Sequence, residues 1–206
     1  MPTRSYLVNE VFRTIQGEGV RAGTVNVFVR FTGCNLRCSL EPGERSPGGF
    51  DCDTEFMSGR RREVGELVDW IQQEAGACRW VVLTGGEPGL QVDDELLEAL
   101  HSAEFKVAIE TNGSVALPSG IDWITVSPKV AEHAIRQRGA HEVKYVRAYG
   151  QALPKTVVFA EHYLISPAFE AQLPSPRNIA WCQQLVLENP QWRMSLQQHK
   201  GLVPIR

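Results

Sequence analysis

Short runs of β-branched and aromatic residues alternate along the chain with longer stretches of helical periodicity. Val25–Phe31 (VNVFVRF), Trp80–Thr84, Lys106–Glu110 and Asp122–Ser127 are each bounded by polar or turn residues, as strands are. Glu142–Val146, His162–Ser166 and Arg193–Gln197 read as three further strands. Glu63–Ala75 puts Val64, Leu67, Val68 and Ile71 on one helical face. Asp93–Ser102 repeats the pattern through Leu96, Leu97 and Leu100, with Asp93 as its N-cap, and Arg177–Glu188 is a third amphipathic segment. Strands alternating with helices predict parallel βα units buried on both faces. The expected fold class is α/β, an abbreviated, incomplete βα (partial TIM-like) barrel with about six parallel strands. The chain's 206 residues suit that reduced count, because a complete eightfold barrel takes about 250.

The clearest interruption is Ser39–Gly49 (SLEPGERSPGG), whose prolines and glycines punctuate a polar stretch. It lies between cysteines, so we read one domain over 1–206 with a loop inserted at about 39–51, inside a site. Composition then narrows the classes. With 43% hydrophobic and 22% charged residues the chain can bury a core. A net charge of −3 argues against nucleic-acid binding, which needs clustered Lys and Arg. No apolar run approaches the roughly 18 residues of a membrane span, and Met1–Glu10 lacks a signal-peptide core. The expected location is the cytoplasm. In that reducing setting, five cysteines suit ligands, catalytic groups or buried thiols better than disulfides.

Three of the cysteines cluster. Cys34 and Cys38 are separated by three residues, and thirteen more separate Cys38 from Cys52. They follow the first long strand, and strand-to-loop junctions at the C-terminal edge of a parallel sheet are where βα proteins place their chemistry. Three thiolates suit a soft metal. Structural zinc usually takes four Cys or His ligands, and a cubane iron–sulfur cluster normally takes four cysteines. A set of three leaves one iron open to a reactant; the plain alternative is buried thiols. Cys78 and Cys182 sit among apolar neighbours and read as core residues. Farther on, Trp80–Thr84 runs straight into Gly85-Gly86-Glu87-Pro88, where paired glycines let the backbone approach a ligand closely.

The cysteine cluster followed by Gly-Gly-Glu-Pro resembles the radical S-adenosylmethionine enzymes. Ile15-Gln-Gly-Glu-Gly19, Arg30-Phe-Thr-Gly-Cys34, Cys52-Asp-Thr54, Thr84-Gly-Gly-Glu-Pro88, Glu110-Thr-Asn-Gly113, Ser127-Pro-Lys129 and His199-Lys200 occur in that order. Across nearly the whole chain the series is similar to the 7-carboxy-7-deazaguanine synthases of queuosine and 7-deazapurine biosynthesis. One departure is the gap after Cys38, where most radical S-adenosylmethionine enzymes have only two residues before the third cysteine.

The resemblance implies a homodimer with a reduced, incomplete barrel that converts 6-carboxy-5,6,7,8-tetrahydropterin to 7-carboxy-7-deazaguanine with loss of ammonia. It implies a 4Fe–4S cluster on Cys34, Cys38 and Cys52, S-adenosylmethionine, Mg²⁺ on Thr54, and an electron donor such as flavodoxin or ferredoxin. S-adenosylmethionine is expected at Gly86, at Ser127, Pro128 and Lys129, at Ser166, Pro167, Ala168 and Phe169, and around Asp51 and Asp53. Ile15, Gln16, Gly17, Arg30, Thr84, Glu110 and Arg206 are the implied substrate contacts. Chemistry agrees for two of them, since a pterin offers donors that suit Glu110 and a carboxylate that suits Arg30. A structural role for Arg30 would instead be an ion pair with Glu18 or Glu110. The implied enzyme competes with another small radical S-adenosylmethionine enzyme such as an activase, and with a non-catalytic zinc-binding domain.

Overall fold

A computed structural model describes residues 4–36, 38, 57–170 and 173–198. The insertion at 39–51 lies outside them, as do Asp51, Cys52, Asp53, Thr54, His199, Lys200 and Arg206. The molecule is organised around a nine-stranded sheet with an antiparallel margin. β1 (Ser5–Ile15) pairs antiparallel with β2 (Val25–Phe31) on one side and with β3 (Arg60–Glu63) on the other. From β2 the sheet continues in parallel through β4 (Trp80–Gly85), β5 (Lys106–Thr111), β6 (Trp123–Val126), β7 (Gly139–Arg147) and β8 (Phe159–Pro167). A two-stranded ribbon, β9 (Phe169–Glu170) with β10 (Leu173–Pro174), stands apart, and β11 (Trp192–Met194) closes the series parallel to β8. Seven strands therefore run parallel, where about six were expected. β3 and β11 are the sheet's edges among the described residues.

Three helices cover the outer face: α1 (Val64–Ala75), α2 (Asp94–Ser102) and α3 (Pro176–Glu188). Their starts follow local chemistry. Glu63 and Glu66 form a reciprocal capping box on α1, and the Asp93 carboxylate accepts from Leu96 N at 3.0 Å on α2. Proline opens α3, where its missing N–H costs nothing.

The register aligns outward-facing side chains into layers, Val27 beside Val81 beside Val107 and Val29 beside Leu83 beside Ile109. They pack with Leu67 and Ile71 of α1 and with Leu96 and Leu100 of α2 into one core. A second core joins Val126, Val143, Tyr145 and Ile165 to Cys182 of α3 and to Trp192. The links from β5 to β6, β6 to β7 and β7 to β8 contain no α-helix; the only helical turn among them is 3₁₀, at Glu132–Ala134.

Side chains at alternate positions of the same strands point inward. In a flat sheet, five strand spacings would put β7 about 24 Å from β1. Glu18 nevertheless forms an ion pair with Lys144 of β7, three residues past the end of β1. Three residues span only about 10 Å of chain, so the sheet must curl strongly. The result is an open partial barrel.

Candidate active site

The C-terminal rim joins three loops through hydrogen bonds and close backbone approach. After β2 the chain turns through Gly33 into Cys34, and the Cys34 sulfur accepts from Leu36 N at 3.4 Å. The Gly85-Gly86 turn after β4 lies against this segment. Gly86 N donates to Phe31 O at 3.1 Å and Glu87 N to Gly33 O at 2.9 Å. A Cβ on Gly86 would run into Gly33 O and Cys34 N, and Gly85 sits at φ 122° against the Phe31 backbone. Both glycines are thus required by geometry that L side chains cannot adopt or fit.

Glu87 ties this turn to the next strand. Its carboxylate is fully buried and accepts from Thr111 Oγ1 at 2.7 Å, Asn112 N at 2.8 Å and Gly89 N at 2.9 Å. Burial raises its pKa against those three donors, which favour the charged form. Asn112 in turn donates to Asn35 Oδ1 at 3.3 Å, and Asn35 to Ser114 Oγ at 2.8 Å. The cysteine loop is thereby fixed to the ends of β4 and β5.

Farther round the rim, Ser127 N bonds Thr111 O at 2.8 Å, and half-buried Lys129 donates to Ser127 Oγ at 3.1 Å. Ser166, Pro167 and Ala168 are buried at the end of β8, with Phe169 half-buried after them. Ala168 is held on two sides. Its N–H donates to Arg147 O at 2.9 Å, and its carbonyl accepts from the buried Asn178 amide of α3 at 2.9 Å.

The concave face carries a layer of polar side chains just below the rim. Arg30 lies in register with Thr84 of β4 and with Glu10 of β1. Its Nε donates to Glu10 Oε1 at 2.8 Å, so the ion-pair partner is Glu10 and not Glu18 or Glu110. The bulge between Val8 and Glu10 sets this register and turns Glu10 inward. Glu110, Thr125 and Glu142 follow one another across β5, β6 and β7. Thr125 Oγ1 donates to Glu142 Oε1 at 2.8 Å.

The loop 16–24 crosses this face and fills its lower end. Gln16, buried, donates to Glu110 Oε1 at 2.8 Å. Gly19 N donates to Ser195 Oγ at 2.9 Å and Val20 N to Glu142 Oε2 at 2.8 Å. Arg21 stacks over the Trp80 ring at 3.8 Å and bonds Asn26. Burial lowers the Arg21 pKa, opposed by Glu142 and Glu110. Burial alone would also depress Lys144, but the Glu18, Glu110 and Glu142 carboxylates outweigh it and raise its pKa.

Of the expected site residues, Cys34, Cys38, Gly86, Ser127, Pro128, Lys129, Ser166, Pro167, Ala168 and Phe169 belong to segments at or just beyond the strand C-termini. Gln16, Gly17, Arg30, Thr84 and Glu110 belong to the concave face and its loop, whereas Ile15 is exposed at the end of β1. Asn178, Glu142 and Lys144 were not singled out from sequence, Glu87 was read only within the Gly-Gly-Glu-Pro motif, and Glu18 only as a possible ion-pair partner of Arg30. Glu142 and Lys144 did carry a signal, two charges at strand spacing in a run read as a parallel strand (EVKYV).

A curled parallel βα sheet whose rim packs a cysteine loop on a Gly-Gly turn, above a polar concave face, is the scaffold of a radical S-adenosylmethionine enzyme. No protein-family model matches the chain. It is 42% identical over 211 residues to a 7-carboxy-7-deazaguanine synthase of Bradyrhizobium diazoefficiens, covering 96% of this chain and 98% of that protein. It is also 42% identical to the synthase of Bordetella pertussis (95% and 97% covered) and 39% identical to that of Bacteroides thetaiotaomicron (97% and 98%). The crystal structure of QueE from Escherichia coli shares the fold, with a TM-score of 0.69 at 24% identity over 94% of both chains. The chain belongs to the 7-carboxy-7-deazaguanine synthase family.

Proposed function

We propose that the chain converts 6-carboxy-5,6,7,8-tetrahydropterin to 7-carboxy-7-deazaguanine with loss of ammonia, as a homodimer in the cytoplasm. The observation that carries this reading is the pairing of chemistries on one concave face, an arginine beside Thr84 and a carboxylate beside Thr125. Arg30 is suited to the pterin carboxylate and Glu110 to its donor edge. Glu110 accepts one bond from Gln16, and a carboxylate can accept about four, so it has capacity for a ligand. Gln16, Gly17, Thr84 and the backbone of Ile15 complete the substrate set, with Arg206 at the chain end.

Cys34, Cys38 and Cys52 are the residues that would hold a 4Fe–4S cluster. The N–H of Leu36 on the Cys34 sulfur fits, because cluster thiolates are stabilised by such bonds. A bound cluster and S-adenosylmethionine supply one-electron chemistry that abstracts hydrogen from the substrate carbon. The protein's share is orientation. Gly86 allows backbone approach to the methionine end, while Asp51, Asp53, Ser127, Pro128, Lys129 and the Ser166-Pro-Ala-Phe169 segment would line the nucleoside. Thr54 would hold Mg²⁺ through its hydroxyl, together with substrate oxygens and water. An electron donor such as flavodoxin or ferredoxin would deliver the electron.

The test is an anaerobic assay with reconstituted protein, the carboxytetrahydropterin, S-adenosylmethionine, Mg²⁺ and dithionite. The expected product is 7-carboxy-7-deazaguanine. A fully loaded enzyme that forms none would overturn the proposal. The ligand set is checked separately with Cys38→Ser, which is expected to lose the cluster by iron count and EPR.

A further inference from the structure

Lys144 is a charged side chain held in the interior. Its side chain projects from β7 toward the concave face with 5% exposure, and its ammonium is paired with Glu18. The second Glu18 oxygen accepts from Gln197 Nε2 at 2.6 Å. Two residues away on the same face of β7, Glu142 accepts from Val20 N and Thr125 Oγ1, each at 2.8 Å. The Glu142 carboxylate also occupies the space a side chain on Gly19 would need. Lys144 and Glu142 thus grip Glu18 and Val20 of the loop 16–24, and Gln198 N adds a bond to Gly17 O at 3.0 Å.

A buried ion pair is weak evidence for stability, because an apolar pair of similar volume often serves equally well. What a charge pair adds is register. Glu18 lies two residues from Gln16, and Gln16 is the residue bonded to Glu110. A shift of the loop by one residue would separate Glu18 from Lys144 and Gln16 from Glu110 together.

We infer that Lys144 is a positioning residue for the pterin: through Glu18 it sets the loop 16–24 in register and so fixes, through Gln16, the Glu110 carboxylate that takes the substrate. The inference rests on the pterin reading of Glu110 given above. Lys144 acts through Glu18 and Gln16, and its removal should be felt in substrate capture.

The experiment compares wild type, Lys144→Met and the double variant Glu18→Gln/Lys144→Met, all cluster-loaded. Lys144→Met is expected to raise KM for the pterin about tenfold or more with kcat changed far less, the pattern of lost binding and not of lost chemistry. A merely structural lysine would instead reduce the active fraction, lowering kcat with KM intact. Amide exchange at Gly19 and Val20, read without substrate, is expected to quicken by about tenfold or more as the loop loosens. Should Lys144→Met fail to fold, the double variant, which removes both members of the ion pair, provides the same two readouts. An unchanged KM or unchanged exchange at Gly19 and Val20 overturns the inference. Wild-type enzyme that makes no product would overturn the pterin reading, while the exchange measurement would still decide whether Lys144 holds the loop.

Discussion

Three donors converge on the Glu87 carboxylate, and two of them, the Thr111 hydroxyl and the Asn112 N–H, make buried bonds, while Gly89 N is half-buried. Leaving a buried donor unpaired costs about 1–3 kcal/mol each, whereas an exposed hydrogen bond contributes far less. Glu87→Ala is therefore expected to lower stability in urea by about 1–3 kcal/mol or more, chiefly through its two buried partners, the Thr111 hydroxyl and Asn112 N. It should also free the Gly-Gly turn and the cysteine loop, so iron content after reconstitution should fall as well. A variant with wild-type stability and iron would contradict the role assigned to this carboxylate. Asp122 shows the opposite balance at the surface. Burial is the largest single influence and raises its pKa, but the Val107 N–H at 2.7 Å, His101 at 3.0 Å and the Lys106 charge together outweigh it and hold the carboxyl below its ordinary value. A depressed folded-state value stabilises fully above the unfolded pKa of about 3.9, and that stabilisation is lost as pH falls through the folded value. Asp122→Asn should thus be less stable than wild type near neutral pH, with the gap in urea midpoints narrowing as pH falls below the unfolded carboxylate value of about 3.9.

At the level of elements, each helix is held by its buried stripe more than by its propensity. Leu100 is wholly buried between α2 and the sheet, in the same core as Leu83 and Ile109. Leu100→Ala is expected to cost about 2–5 kcal/mol, the range for a leucine cavity in a rigid core, as measured by urea denaturation. The three helices and the parallel strands were legible in the sequence because their apolar residues recur at helical or strand spacing and pack on one another. β1 and β3 were not. β1 reads SYLVNEVFRTI, and the bulge between Val8 and Glu10 breaks the alternation that would announce a strand. β3 is Arg60-Arg-Arg-Glu63, a strand by pairing and not by composition. Arg30 was legible as a charge needing a partner in an apolar strand. Its partner was not, because Glu10 sits on the strand the pattern concealed. The rim was legible through its glycines and cysteines. The hydrogen bonds that order it, Glu87 to Asn112 and Asn178 to Ala168, join residues far apart in sequence and required the fold itself.

At the scale of the molecule, a barrel that stops short of closure keeps two sheet edges among the described residues, and such edges invite pairing with the edges of other chains. β11 offers only three residues. β3 offers four, three of them arginine, with Arg60 and Arg61 exposed and Arg62 stacked over Trp70 at 5.5 Å. Short, charged edges repel their own kind. The arginines here therefore act against aggregation, a duty separate from catalysis and nearly invisible in the stability of the native state. Replacing Arg60 and Arg61 with threonine keeps the strand's β-propensity and removes the repulsion. The double variant should melt close to wild type yet turn turbid sooner when refolded from urea at micromolar concentration. If its turbidity matched wild type, the charge on this edge would have no protective part. An enzyme that leaves its barrel open thus carries a standing risk of self-association, and the strand least legible as a strand is the one that counters it.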